Sequence, residues 1–219
     1  MVTPRRVERK LGSPILLVAG AVSFAVLVWM ALASLRKPDL EGIAQSAIQA
    51  TLNNDPDAYY ELLMDREKEM LSREQFRKLW EISVEPRLSG FRATGKIETH
   101  DNEFQALAVV RLTNDKGTEL TYAVNSDLTD QWAGVKTTSV LTAAWLAEQL
   151  TRAPGTPEDE VDALESWVTG LTEDLPKLRE AGITSIPNPE THKPIPLDKL
   201  LEIWQGFLAE AARHDSGEA

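Results

Sequence analysis

Residues 91–125 read FRATGKIETHDNEFQALAVVRLTNDKGTELTYAVN, and their periodicity decides the fold class. Phe91, Ala93, Gly95 and Ile97 alternate with Arg92, Thr94, Lys96 and Glu98, the period of two that puts alternate side chains on opposite faces of a strand. The run from Phe104 to Leu112 is almost continuously apolar and predicts a central, mostly buried strand. Asn114-Asp115-Lys116-Gly117 supplies a tight turn into a third strand over Thr118 to Asn125. Asp127 to Asp130 then reads as a connecting turn and Gln131 to Thr137 as a fourth strand. Consecutive strands on links this short pair antiparallel.

Helical spacing precedes the strands. Leu40, Ile43, Ala44, Ala47, Ile48 and Leu52 recur at three and four residues and stop at Asn53-Asn54. Asp55 is placed to cap a second helix with Pro56 at its first position and Tyr59, Leu62 and Leu63 on its apolar side. Ser72 and Gln75 form a capping box for a third, with Leu71 placed to staple onto Phe76 and with Leu79 and Trp80 continuing the buried face. After the strands, Val140, Ala143, Ala144 and Ala147 predict a helix from Ser139 to about Arg152. Helices followed by an antiparallel sheet make residues 38–152 an α+β domain.

Ala153-Pro154-Gly155 marks a boundary, and residues 156–213 form a helical appendage with a proline-rich connector. Val161, Leu164, Val168, Leu171 and Leu175 make a seam of only two heptads, which predicts a helix packed on its own chain rather than a free coiled coil. Pro187, Pro189, Pro194 and Pro196 predict an extended connector. Leu197, Leu200, Leu201, Trp204, Leu208 and Ala211 share one face of a last helix to about Arg213, and residues 214–219 read as a disordered tail.

The run ILLVAGAVSFAVLVWMALASL, Ile15 to Leu35, carries no charge and is long enough to cross a hydrocarbon core roughly 30 Å thick at about 1.5 Å per residue. Arg5, Arg6, Arg9 and Lys10 precede it, so the positive-inside rule reads residues 1–14 as a cytoplasmic basic tail. Residues 15–35 are then a transmembrane helix in the plasma membrane, with the carboxyl-terminal domain extracytoplasmic. Ala31-Leu32-Ala33 also satisfies a signal-peptidase site, and a signal cleaved after Ala33 is the competing reading. The apolar stretch exceeds the usual signal core and favours an uncleaved anchor.

The first 37 residues carry a net +5, which leaves −16 on the remainder. A domain that acidic repels phosphate backbones and anionic headgroups, so nucleic acid is not an expected partner. The chain has no cysteine, which removes disulfides, thiolate nucleophiles and zinc–thiolate sites. His100, His192 and His214 are dispersed, and no metal site is expected. The S-x-x-K at Ser34 to Lys37 adjoins the apolar run and is not read as catalytic.

The order of a long helix, a short helix after an N-D-P turn, a helix opened by S-x-x-Q-F and then a curved antiparallel sheet resembles the NTF2-like, or cystatin-like, α+β cone. The resemblance is carried by Ile43 to Leu63, Ser72 to Trp80 and the strands between Phe91 and Thr137, including Asp130-Gln131-Trp132. It implies helices covering one face of the sheet and a conical pocket, which some members of that superfamily use for isomerase or dehydratase chemistry. Others bind ligands or act as dimerisation and scaffold modules, so fold alone does not decide function. Tyr59, Tyr122 and Trp132 are the candidate pocket lining; His100, Asp101 and Glu103 read as a solvated turn. The resulting expectation is a single-pass, membrane-anchored, extracytoplasmic binding or scaffold protein without cofactor or catalysis, which binds a protein, a second copy or a small ligand whose identity the sequence leaves open. The alternatives are a membrane-tethered isomerase or dehydratase and a structural subunit of an envelope complex.

Overall fold

The structure, a computed structural model, describes residues 38–215 apart from 103, 130–131, 153–159, 189–190 and 192. The apolar run at 15–35, the basic tail before it and residues 216–219 lie outside the described residues. Among those described, no helix is long and apolar enough to cross a membrane.

The fold is α+β, with helices against a curled antiparallel half-barrel sheet. Helix α1 (Leu40–Leu52) starts on Asp39, whose side chain accepts from the Gly42 amide, and ends at Asn53. Asn54 follows with φ +51°, a conformation Asn tolerates better than most side chains, and its carboxamide accepts from Trp80 Nε1 at 2.7 Å. Helix α2 (Pro56–Leu62) has the Asp55 cap and the proline at its first turn that the sequence predicts. Helix α3 (Asp65–Met70) is a six-residue element that the apolar spacing does not announce. Helix α4 (Arg73–Leu79) carries both halves of the Ser72–Gln75 capping box. Tyr59, Tyr60, Phe76 and Trp80 pack ring on ring between these helices, with centroids 5.5 to 5.9 Å apart.

After Leu79 the helix widens into a π turn, Trp80–Val84, before α5 (Glu85–Leu88). Pro86 has no amide hydrogen and cannot donate to the Ile82 carbonyl four residues back, so the α-helical ladder breaks here and the Glu85 amide reaches Trp80 O instead. The Arg87 guanidinium covers the carbonyls left over, donating to Ser83 O at 3.0 Å and Ile82 O at 3.4 Å.

The sheet contains β1 (Arg92–Ala93), β2 (Glu98–Asp101), β3 (Gln105–Thr113), β4 (Glu119–Thr129) and β5 (Trp132–Val135). Both β1 and β2 pair with β3, at Ala93↔Leu112 and Glu98↔Val109. Five steps along the edge therefore face three along β3, and the single strand expected over 91–98 is split by a two-residue bulge. Strand β3 alternates buried and exposed positions, so it is buried on one face only. Its outward Leu107 and Val109 are what made the run read as a core strand. Strand β4 continues through Asp127 and Leu128, which the sequence reading had placed in a turn. Ala44, Ala47 and Ile48 of α1 close over the inner face in one core with Ala108, Val110 and Val124.

Helix α6 (Thr137–Arg152) lies on β4, and α7 (Glu160–Glu180) packs against α6 and α8 (Leu197–Asp215). The proline-rich connector is more ordered than an extended link: β6 (Ser185–Pro187) and β7 (Pro194–Pro196) pair across Ile186↔Ile195, both buried. The last helix runs on through His214 and Asp215. The appendage is held by a buried ion pair. Arg87, 7% exposed, meets Asp174 of α7, 1% exposed, through two parallel 3.0 Å hydrogen bonds and also donates to Glu148 of α6. Trp145 Nε1 donates to the same Asp174 at 2.8 Å, and Gly170 leaves room for that indole, since a Cβ there would lie 2.2 Å from its ring. Trp204 of α8 stands edge-on to Trp145, with centroids 6.0 Å apart.

Replacing Asp174 by Ala strands a buried guanidinium and a buried indole N–H, so the variant should lose about 3 to 5 kcal/mol in a urea melt. Arg152→Ala breaks exposed pairs to Glu148 and Glu173 and should cost less than about 1 kcal/mol in the same assay.

Candidate functional site

Two of the three predicted pocket residues meet in the interior. Tyr59 points in from α2 and Tyr122 from β4, and both are fully buried. Thr51 Oγ donates to Ala47 O at 2.9 Å, which commits its only proton, so the 2.9 Å contact to the Tyr122 hydroxyl has Tyr122 as donor. The Tyr59 hydroxyl lies near that of Tyr122 and donates to Lys136 O at 3.5 Å, the limit of hydrogen bonding. The Tyr122 proton thus goes to Thr51, and that of Thr51 to the Ala47 carbonyl. Burial raises both phenol pKa values above their ordinary range, for Tyr59 with further contributions from Tyr122 and the nearby Glu67 carboxylate. Of Trp132 the backbone alone is described; it pairs with Thr129 at the start of β5.

Glu67 is the residue that sequence reasoning missed. Its segment, DREKEM, reads as a charged surface turn, yet its side chain is 0% exposed. The available signal was spacing, because Leu63, Glu67 and Leu71 recur every four residues and all three are buried. Glu67 Oε2 accepts from the Thr137 amide at 2.6 Å and from Thr137 Oγ at 2.7 Å. It therefore caps the first turn of α6, where exposed amides and the helix dipole favour an anion. Glu67 Oε1 is buried and has no hydrogen-bond partner. Burial raises the carboxyl pKa from 4.5 to about 7, against the opposing pull of the Thr137 bonds and the Lys136 charge. Lys136 itself is paired with Asp127 at 2.7 Å.

Backbone contacts fix this carboxylate in place. The Met64 amide donates to Val135 O at 3.2 Å, and Leu63 bridges Val135 in parallel, which ties the α2–α3 junction to β5 just before Thr137. The approach requires Gly134, where a Cβ would sit 2.6 Å from Met64 N and 2.9 Å from Leu62 O.

Three surface concavities are described. A groove of about 440 Å³ runs along α1 and α2, lined by Gln45, Gln49 and Asn53 in one helical stripe together with Asp55 and Ile97. A second, of about 400 Å³, lies by Gly90 and the β3–β4 turn and is lined by Arg87, Lys116, Glu148 and Arg152. A third, of about 170 Å³, separates α6 from α7 beside Trp145 and Ser166. None of the three includes Tyr59, Tyr122 or Glu67. His100 and Asp101 are exposed on β2 rather than in a turn, while Glu103 and His192 lie outside the described residues. Among the described residues no group of three metal-ligating side chains converges.

Comparison with protein-family models, curated proteins and solved structures returns no match for this chain.

The raised Glu67 pKa makes a signed prediction. The folded state holds this proton more tightly than the unfolded chain, so its contribution is complete below pH 4.5 and is lost as the pH climbs to about 7. Glu67→Gln removes the titration. Its stability relative to the wild type should rise by an amount of order 3 kcal/mol between about pH 4 and about pH 8, read from denaturant melts. A gap that stays constant across that range would mean that Glu67 titrates normally. Gly134→Ala should cost about 1 to 3 kcal/mol because its new methyl meets backbone. Gly206→Ala, in the exposed part of α8 with nothing within 4 Å, should instead gain about 0.5 to 1 kcal/mol.

Proposed function

We propose that the chain is a single-pass, membrane-anchored, extracytoplasmic binding or scaffold protein that works through its surface and not through chemistry in its interior. The curled sheet with helices over its inner face supports an NTF2-like reading of residues 38–152. The address rests on the uncharged run Ile15 to Leu35 and the basic residues before it.

The observation that carries the non-catalytic reading is what Glu67 does. A general acid or base has to reach a proton on a substrate, directly or through one water. Glu67 is instead enclosed, with one oxygen committed to the amide and hydroxyl of Thr137 as a helix cap. Tyr122 is likewise committed to Thr51, and Tyr59 is fully buried with its hydroxyl directed at Lys136 O. The isomerase or dehydratase alternative would rest on the unpartnered Glu67 Oε1 and its pKa of about 7, and it requires a route from solvent to that atom. The partner expected for a surface-acting domain is a protein, either another chain or a second copy.

Full-length protein should stay in the membrane pellet after alkaline carbonate extraction. In cells whose cytoplasmic membrane is sealed, protease given access to its outer side should remove the domain while the basic tail stays protected. Recovery in the soluble fraction with a new amino terminus at Ser34 would establish the cleaved-signal reading instead.

A further inference from the structure

Of the three large apolar residues that stand exposed among the described residues, Phe207 is on α8 and the other two lie at one end of the sheet. Phe104, at the tip of the β2–β3 hairpin, is 64% exposed, and Leu107, on the outer face of β3 two residues inside the strand, is 38% exposed. The tip is held rather than loose. Asn102 Oδ1 accepts from the amides of Phe104 and Gln105 at 2.9 Å each, and the Leu128 amide donates to Phe104 O at 2.8 Å. An exposed phenyl on a rigid turn has no role in the core.

The same end of the sheet is where the chain enters the domain. Ser126 Oγ donates to Leu40 O at 2.6 Å and approaches Ala106 O at 3.4 Å, so the first residue of α1 and a residue two places from Phe104 meet at one hydroxyl. Thr99 Oγ of β2 donates to Glu41 at 2.5 Å and fixes the hairpin to the same turn of α1. Only four residues, Arg36 to Asp39, separate Leu35, the last of the apolar run, from Leu40, a reach of at most about 18 Å when fully stretched.

We propose that the β2–β3 hairpin tip is a membrane-contact element, with Phe104 entering the headgroup region of the leaflet from which the chain emerges and Leu107 lying at its edge. This rests on the anchor reading above. Aromatic side chains favour that interfacial layer, and a covalent tether this short keeps the tip at high effective concentration near it. The contact is apolar and not electrostatic. Asp39, Glu41 and Asp101 are exposed around the entry point and oppose an anionic surface, which selects neutral lipid.

The absence of native cysteine allows a clean test in the full-length chain. Single cysteines at Gln105, beside an intact Phe104, at Lys116 in the β3–β4 turn and at Ser23 in the apolar run would carry a nitroxide. The protein would be reconstituted at one copy per phosphatidylcholine nanodisc, and collision with a water-soluble nickel chelate would be read by electron paramagnetic resonance. The label at 105 should be several-fold less accessible than that at 116. Phe104→Asp should raise it to the level at 116, and enrichment in phosphatidylglycerol should weaken the protection. Equal accessibility at 105 and 116, with the label at 23 in lipid, would overturn the contact while leaving the anchor standing. Protection seen only with several copies per disc would also overturn it and assign Phe104 to self-association. Protection that grows with anionic lipid would overturn the apolar contact. A water-exposed label at 23 would remove the anchor and this inference together.

Discussion

The bidentate pair between Arg87 and Asp174 is the contact on which the arrangement of the C-terminal helices depends. A guanidinium offers five donors in a fixed plane, and this one uses them on the Asp174 carboxylate, on Glu148 and on the Ser83 carbonyl. It joins α5, α6 and α7 in one geometry, and it does so at the place where Pro86 has broken the helical ladder. Apolar side chains of similar volume would fill the site as well. They would not fix the rotation of α7, because hydrophobic burial is non-directional and the fork is not. With α7 set, Leu171, Leu175 and Leu178 join the same core as the sheet, and α8 is left one helix face to pack against.

Much of this architecture was legible in the sequence, for reasons that are local. The Asp55-Pro56 start, the Ser72–Gln75 box and the Asn114 to Gly117 turn each follow from side-chain chemistry within four residues, whereas of the seam predicted for α7 only Leu171 and Leu175 are buried and Val161, Leu164 and Val168 are half-buried. The errors arose where the neighbouring strand or the protein's exterior decided the outcome. The bulge between β1 and β2 exists only relative to β3, and the apolar outer face of β3 mimics a buried strand because Leu107 and Val109 fall between the true core positions. The hairpin of β6 and β7 was hidden by prolines that suit an extended chain as well as a short ladder.

The polar interior was the part least visible, and the physical reason is sequence separation. Arg87 and Asp174 lie 87 residues apart, and Glu67 and Thr137 lie 70 apart. Each looks like a surface charge within its own helix. Burial of a charge is decided by its partner, and no periodicity in one segment reports a partner in another. Tyr59 and Tyr122 were legible as interior residues but their hydrogen bonds were not, since Tyr122 bonds Thr51, whose β-branched side chain in a helix gives no hint of a buried partner 71 residues away.

These two observations constrain where activity can reside. The groups whose pKa values burial raises, Glu67 and the two tyrosines, are tied into a helix cap and interior hydrogen bonds, and none of them borders the described concavities. The features that the core does not use are on the outside: the stripe of Gln45, Gln49 and Asn53, the exposed Phe207 of α8 and the Phe104 tip. Amide side chains along a helix both donate and accept, so such a stripe can pair with backbone and amide groups without requiring a charge. The polar groups of the interior are already spent on holding helices and strands together, so a change at the surface stripe alters what the domain can touch without disturbing the core.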